Sequence, residues 1–344
     1  MDIINFKNTK YFLIFLIIFS IPSFGKNFKE LFVIYEPIQD STLIEKSINN
    51  AFNTMIYRLS GSASPSNIWR IINAGNARKD FITSYSIKNI DDKTFLQVNF
   101  DKNLLIEKFE DLKIPIVSNS RPVLLIIIKI DSGNSLPYFL SSHQDDNYLN
   151  ELIRNTIKDY SNIRGVFLEL PELDLNDRIN LLRYEKLIDT KQYISSKYTS
   201  DKVIMIDLTK TGLNSWSLSG DINFQYAEES FSKEFIQDFN EYIENEINNM
   251  LEKNLIDISN KYSIKLKINN IRNLQNYKDS RNIIENLIGI GNLKIEMFEI
   301  DNISYTADIF GNFETIENQF AENSFFDVVE SSVNEEYLHL AYKK

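Results

Sequence analysis

The sequence predicts a mixed α/β and α+β chain, built as three folded units behind a leader segment. Three patterns predict it. Apolar runs at 123–130, 166–170 and 202–208 alternate with stretches of helical spacing, as parallel strands joined by right-handed crossovers do. The stretch 231–259 carries Phe235, Ile236, Phe239, Ile243, Ile247, Met250 and Leu251 on one stripe, a helix of ~40 Å, long enough to join two bodies. Strand, helix, strand, strand, helix and strand signals then follow in order, the ferredoxin-like βαββαβ pattern. The expected organisation is a signal peptide at 1–25 and an N-terminal helix-plus-strands unit at 26–120. A central, mostly parallel α/β sheet with an antiparallel edge follows at 121–230, then the connecting helix at 231–261 and the ferredoxin-like unit at 262–344.

Composition narrows the function classes. The 344 residues suit two or three domains at ~100–200 residues each. Hydrophobic residues make up 43% and charged residues 25%, enough to build packed cores. A net charge of −11 disfavours nucleic acid and anionic lipid as partners. The absence of cysteine excludes disulfides, thiolate metal sites and thiol nucleophiles. Glycine and proline are scarce while Asn, Ile and Lys abound, so single Asn or Lys residues carry little weight as signals.

At the N-terminus, Lys7 and Lys10 precede an apolar run at 11–19, followed by Ser20-Ile21-Pro22-Ser23-Phe24-Gly25. A basic start, a short apolar run, a proline and small residues before a cut describe a secretory signal peptide cleaved after Gly25. The run is far short of the ~20 residues that span a bilayer. The expectation is export to the periplasm, with no stable membrane insertion after cleavage. The mature chain would then be one unit more negative, since the leader holds two lysines and one aspartate.

The elements follow in order. Residues 31–35 read as a strand. In 42–60, Ile44, Ile48, Phe52, Met55, Ile56 and Leu59 share a helix face, with Thr42 and Glu45 as a capping box and Gly61 at the end. A short helix at 67–73, strands at 81–90 and 94–101 around Asp91-Asp92-Lys93, and a helix at 102–112 complete the first unit. Arg121-Pro122 opens the second. Its strand at 123–130 reads as covered on both faces, and a turn at 131–134 and a helix at 148–160 ending before Gly165 follow. The strand at 166–170 is succeeded by a Pro-punctuated loop, a helix at 187–197, the strand at 202–208 and the antiparallel edge at 214–224. The third unit reads as strands at 262–271, 293–300, 304–310 and 337–342 with helices at 277–288 and 314–320.

Familiar catalytic motifs fail. There is no phosphate loop, HExxH or GxSxG, and Gly289-Ile290-Gly291 leads into a strand, so it reads as a turn. His339 sits between Leu338 and Leu340 on the opposite strand face, a structural or solvated histidine. His143, beside Asp145 and Asp146, reads as part of a polar loop. The serines of Ser60-Gly61-Ser62-Ala63-Ser64 lack a visible base. The densest acidic group is Glu169, Glu172, Asp174 and Asp177, which follows a buried parallel strand, where ligands of open α/β sheets bind. Its oxygens could hold a divalent cation, although the spacing is no EF-hand; the plainer reading is a solvated loop. Trp216 is either a sheet anchor or, if exposed, part of a partner surface. No catalytic residue and no cofactor are assigned.

Five stretches in order carry a family resemblance: Tyr57-Arg58-Leu59-Ser60-Gly61, Arg121-Pro122-Val123-Leu124, Leu170-Pro171-Glu172-Leu173-Asp174-Leu175, Tyr198-Thr199-Ser200-Asp201-Lys202-Val203 and Trp216-Ser217-Leu218. Across 26–342 the chain resembles the DUF2066 domain family, exported proteins of proteobacteria. It departs in composition, with Ile, Asn and Lys where the family favours Ala, Leu and Arg. The resemblance implies a periplasmic location and supplies no catalytic residue to carry over. A looser likeness, at the level of fold alone, links it to periplasmic adaptor domains such as the N-terminal domain of TolB and FlgT. The leading expectation is a non-enzymatic scaffold or adaptor that binds envelope proteins. The alternative is a protein that binds a small ligand or divalent cation, or a hydrolase, through the carboxylates of 169–177. An open sheet edge beside Trp216 would name the adaptor's interface.

Overall fold

The structure is a computed structural model and describes residues 26–28, 30–38, 44–90, 93–142, 147–183 and 187–343. The leader 1–25, Thr42, Asp91, Asp92, His143, Asp145 and Asp146 lie outside these residues. The mixed α/β and α+β class is observed.

The first unit comprises β1 (Lys26–Asn27), β2 (Val33–Pro37), α1 (Ile44–Ser60), α2 (Ser66–Asn73), β3 (Ile82–Ile90), β4 (Lys93–Phe100), α3 (Lys102–Asp111), β5 (Ile116–Val117) and β6 (Ser120–Arg121). Leu96, Val98 and Phe100 alternate along β4 and face α1, whose Ile48, Phe52, Met55, Ile56 and Leu59 are fully buried against them. The sheet order is β2-β4-β3, antiparallel throughout. Asp101 starts α3 by accepting from the backbone N–H groups of Asn103 and Leu104, which have no partner within the helix.

The second unit comprises β7 (Val123–Asp131), β8 (Tyr138–Phe139), α4 (Tyr148–Arg164), β9 (Phe167–Glu169), α5 (Leu175–Arg183), α6 (Thr190–Ser195), β10 (Lys202–Lys210), β11 (Ser215–Gly220) and β12 (Phe224–Ala227). Strand β7 runs parallel to both β10 and β9. Leu124, Ile126, Ile128 and Ile130 face one core, while Leu125 and Ile127 face another with Leu173, Leu181 and Ile194. Two buried faces are why the run is apolar from Val123 to Ile128.

Four expectations change here. Residues 175–177, the end of the stretch 169–177 read as solvated loop, open α5, because Leu173 and Leu181 are buried and the Asp174 carboxylate accepts from the Asp177 N–H at 2.7 Å. The helix expected at 187–197 shortens to α6, started by Asp189. Strand β11 is internal: β12 pairs along it from Ser215 to Leu218 and takes the edge. The helix expected over 231–259 ends sooner, as α7 (Phe231–Lys253), and its apolar stripe packs into the second unit's core. Trp216, Phe231, Phe235 and Phe239 stack in succession at ring separations of 4.5, 5.7 and 5.6 Å, which fastens α7 to β11.

After α7, β13 (Leu255–Ile256) pairs antiparallel with β5, and Ile256 and Ile258 enter the first unit's core. The third unit comprises β14 (Lys261–Asn269), α8 (Leu274–Glu285), β15 (Ile290–Phe298), β16 (Asn302–Phe310), α9 (Phe313–Ala321), β17 (Phe326–Ser332) and β18 (Tyr337–Tyr342), in the sheet order β15-β16-β14-β18-β17. The βαββα portion follows the expected course. Strand β17 is additional, and it reverses the last strand, so that β18 lies parallel to β14. Only Phe326 in β17 is buried; an outer strand needs no alternating apolar face, which is why the pattern was silent. No helix among the described residues is long and apolar enough to cross a membrane.

Candidate functional site

The four carboxylates singled out by sequence are drawn to four different partners. Glu169 pairs with Lys26 at 2.5 Å. Glu172 accepts from the backbone N–H of Ser142 at 3.1 Å. Asp174 starts α5, and Asp177 binds Lys197 and accepts from the Tyr193 hydroxyl at 2.8 Å. The Lys197 hydrogen bond holds the Asp177 carboxyl below its ordinary range. These contacts turn the side chains away from a common centre. Among the described residues no group of three or more His, Asp or Glu could hold a metal.

Of the two readings of Trp216, the structure shows the sheet anchor. It is 7% exposed, stacks on Phe231 at an interplanar angle of 4°, and its indole N–H donates to Glu228 at 2.6 Å. It is a sheet anchor and presents no ring to a partner. His339 lies beside Lys267 and opposite Glu330 in the sheet register, and burial pushes its imidazole below the ordinary value.

Three arginines mark the meeting of the units. Arg58, Arg121 and Arg164 are all buried. Arg58 donates to the carbonyls of Leu31 at 3.0 Å, Val33 at 2.7 Å and Asn162. Arg121 donates to the Arg58 carbonyl at 2.9 Å, and Arg164 donates to the Gly61 carbonyl and the Asn248 side chain, both at 2.7 Å. The negative C-terminal end of α1 is thus covered by two of them. Burial pushes Arg121 down to about 9 and Arg58 down to about 10, with the neighbouring guanidiniums lowering Arg121 further. Arg58 and Arg121 stand in two of the stretches that carry the family resemblance. No linear pattern marks their role, because nothing in it shows that residues 63 positions apart meet.

The third unit docks on the first through Asn119. Its side chain donates to the Asn286 carbonyl at 3.3 Å and accepts from the Ile288 N–H at 2.7 Å. Beside it lies a groove of about 440 Å³, within the usual range for ligand clefts, lined by Lys26, Asn119, the C-terminal part of α8 and the segment after α9. Searches against protein-family models, curated proteins and solved structures find no match.

Several outer strands have a partner strand on one side only among the described residues, β3 and β15 among them. Strand β3 pairs only with β4, and its Tyr85 and Ile87 stand opposite Val98 and Leu96 on the core-side face, yet both are more than half exposed. Strand β15 pairs only with β16. Its end and the following turn expose Met297, Phe298 at 60% and Ile300 at 98%. Phe298 meets Tyr277 of α8 edge-on at 6.3 Å, and exposed Leu274 lies one turn before Tyr277. Exposed apolar side chains thus gather where the end of β15 meets the start of α8.

Proposed function

We propose that the protein is a non-enzymatic scaffold or adaptor of the bacterial cell envelope, acting in the periplasm and holding a partner protein on the third unit. The observation that carries this reading is the exposure of Phe298 and Ile300, with Leu274 on the helix that Phe298 meets, at an outer strand of the sheet. Contiguous exposed apolar side chains mark surfaces that partners cover, and a free strand edge adds a row of backbone groups ready for pairing. Bulges at 291–294 and 295–297 bend β15, so the edge resists indiscriminate pairing while the turn stays presented. The acidic chain disfavours an anionic membrane as the occupant. The leader pattern and the resemblance to exported proteins support the periplasm.

The test compares the chain with a Phe298→Ser/Ile300→Ser double variant in capture from envelope extracts at near-endogenous expression. The expected result is a specific partner retained by the unaltered chain and lost by the variant, with the melting temperature kept. Failure of the unaltered chain to retain any specific partner would overturn the reading.

A further inference from the structure

A second groove, of about 380 Å³, lies where the first two units meet, beside the arginine junction. Three helices wall it. Tyr57 comes from the last turn of α1, and Asn240 and Glu244 stand one turn apart on α7. Helix α4 supplies Thr156, Asp159, Tyr160 and Ile163, whose spacing of three and four puts them on one face. The volume is within the usual range for small-ligand clefts, which favour boundaries between folded units.

The charges in the wall select the ligand. Arg164 lines the groove, but its side chain is only 3% exposed and is engaged by the Gly61 carbonyl and the Asn248 side chain. It lies 3.8 Å from Glu244, beyond hydrogen-bond length. The Glu244 side chain is 39% exposed, and Asp159 is exposed as well. What the groove offers a ligand is therefore carboxylate, with two phenol rings in the same wall. The Asn240 side-chain oxygen is buried without a hydrogen-bond partner, and among the described residues the side chains of Tyr57, Thr156, Asp159 and Tyr160 form no hydrogen bond. Burial pushes the Asp159 carboxyl and the Tyr160 hydroxyl up, while Lys93 and Lys158 draw Asp159 back. A cation entering the groove offsets that desolvation, finds oxygen acceptors on three helices, and meets aromatic rings that attract positive charge.

We propose that this groove binds an organic ammonium ion, its head held by Asp159 and Glu244 beside the two tyrosines and its carbon chain lying along Ile163. The ammonium N–H groups donate to the carboxylates and to the Asn240 oxygen. No residue of the third unit lines the groove, so the site stands apart from the surface assigned to a partner protein. A free amine and a lysine side chain of another protein share this chemistry, and the experiment separates them.

Titration calorimetry at about 0.15 M salt, which screens the general attraction of an acidic chain for cations, uses putrescine, Nα-acetyl-lysinamide and the uncharged butanediol. Saturable one-to-one binding of at least one of the two amines is expected, with butanediol silent. Tighter binding of putrescine assigns a free amine as the source, and tighter binding of the lysine derivative assigns a side chain. Asp159→Asn should weaken binding about tenfold, through the loss of one charged hydrogen bond. Ile163→Lys should abolish it by placing an ammonium in the wall itself. Glu241→Gln, on α7 but outside the groove, should leave it unchanged. All three positions are exposed, so each variant should keep the melting temperature of the unaltered chain. Binding of neither amine overturns the proposal. Equal losses in Asp159→Asn and Glu241→Gln overturn it too, since the attraction would then be that of the net charge.

Discussion

Gly165→Ala tests the arginine junction. Gly165 ends α4 at φ 61°, a left-handed conformation that costs an L-residue roughly 1–2 kcal/mol. A Cβ built there falls 2.8 Å from Cγ and 2.9 Å from Cδ of Arg58. These are mid-chain atoms, and the guanidinium beyond them is held by the carbonyls of Leu31 and Val33, so the side chain cannot swing clear. Overpacking of this kind costs about 1–3 kcal/mol. The sum is about 2–5 kcal/mol, or a fall of roughly 3–7 °C in melting temperature for a protein of this size. Gly75→Ala is the control, because Gly75 has φ 88° and nothing within 4 Å of a new Cβ. It should lose only the backbone part, about 1–2 kcal/mol. Urea unfolding of both variants separates the two contributions. A Gly165 loss equal to the Gly75 loss would show that Arg58 is not pinned as described.

Arg121→Met should raise stability at pH 7 by about 1–3 kcal/mol in urea unfolding, since it removes a desolvated charge beside two like charges at the cost of one hydrogen bond; a loss above about 2 kcal/mol refutes this. Lys102 is pushed down to about 8 by burial, below its unfolded value, so the unfolded state binds more protons between about pH 8 and 10.5 and this group adds stability as the pH rises there. Lys102→Met should remove that increment, seen as a stability difference between the two chains that changes across this range; parallel curves contradict it. Asp177→Ala should cost about 1–3 kcal/mol through the loss of its Lys197 and Tyr193 contacts. Millimolar calcium or magnesium should leave the melting temperature unchanged, and a clear upward shift would revive a cation site at 169–177.

Most of the fold was legible where one face of an element is buried and the other is wet. Helix α1 and strands β4, β14 and β16 show this plainly, because their alternation or helical spacing records which side meets the core. Strand β7 was legible for the opposite reason, being apolar at six successive positions, 123–128, under two layers. The misses are elements whose burial is slight. Strands β12 and β17 are outer strands with few core residues, and α5 is held by Leu181, the preceding Leu173 and the Asp174 start. The misplacement of α7 has another cause. Periodicity showed that Phe235, Phe239 and Ile243 need cover, but it carries no information on which surface supplies it.

The same limit governs the candidate site. The carboxylates at 169–177 drew notice because they are dense in sequence, yet each is nearer to a remote cation or backbone N–H than to a shared centre. Trp216 was weighed as an edge residue because β12 is nearly invisible in the sequence, and that one unseen strand moves the free edge away from it. The junction of Arg58, Arg121 and Arg164 was hidden for a deeper reason. An arginine normally signals a wet surface, and only the convergence of the α1 terminus, the β6–β7 corner and the α4 terminus lets carbonyl oxygens replace water around three of them. Such a site is built by topology from ends of elements, where polar backbone groups gather. Patterns of apolar spacing are weakest at those ends, so they locate elements well and locate the joints between them poorly.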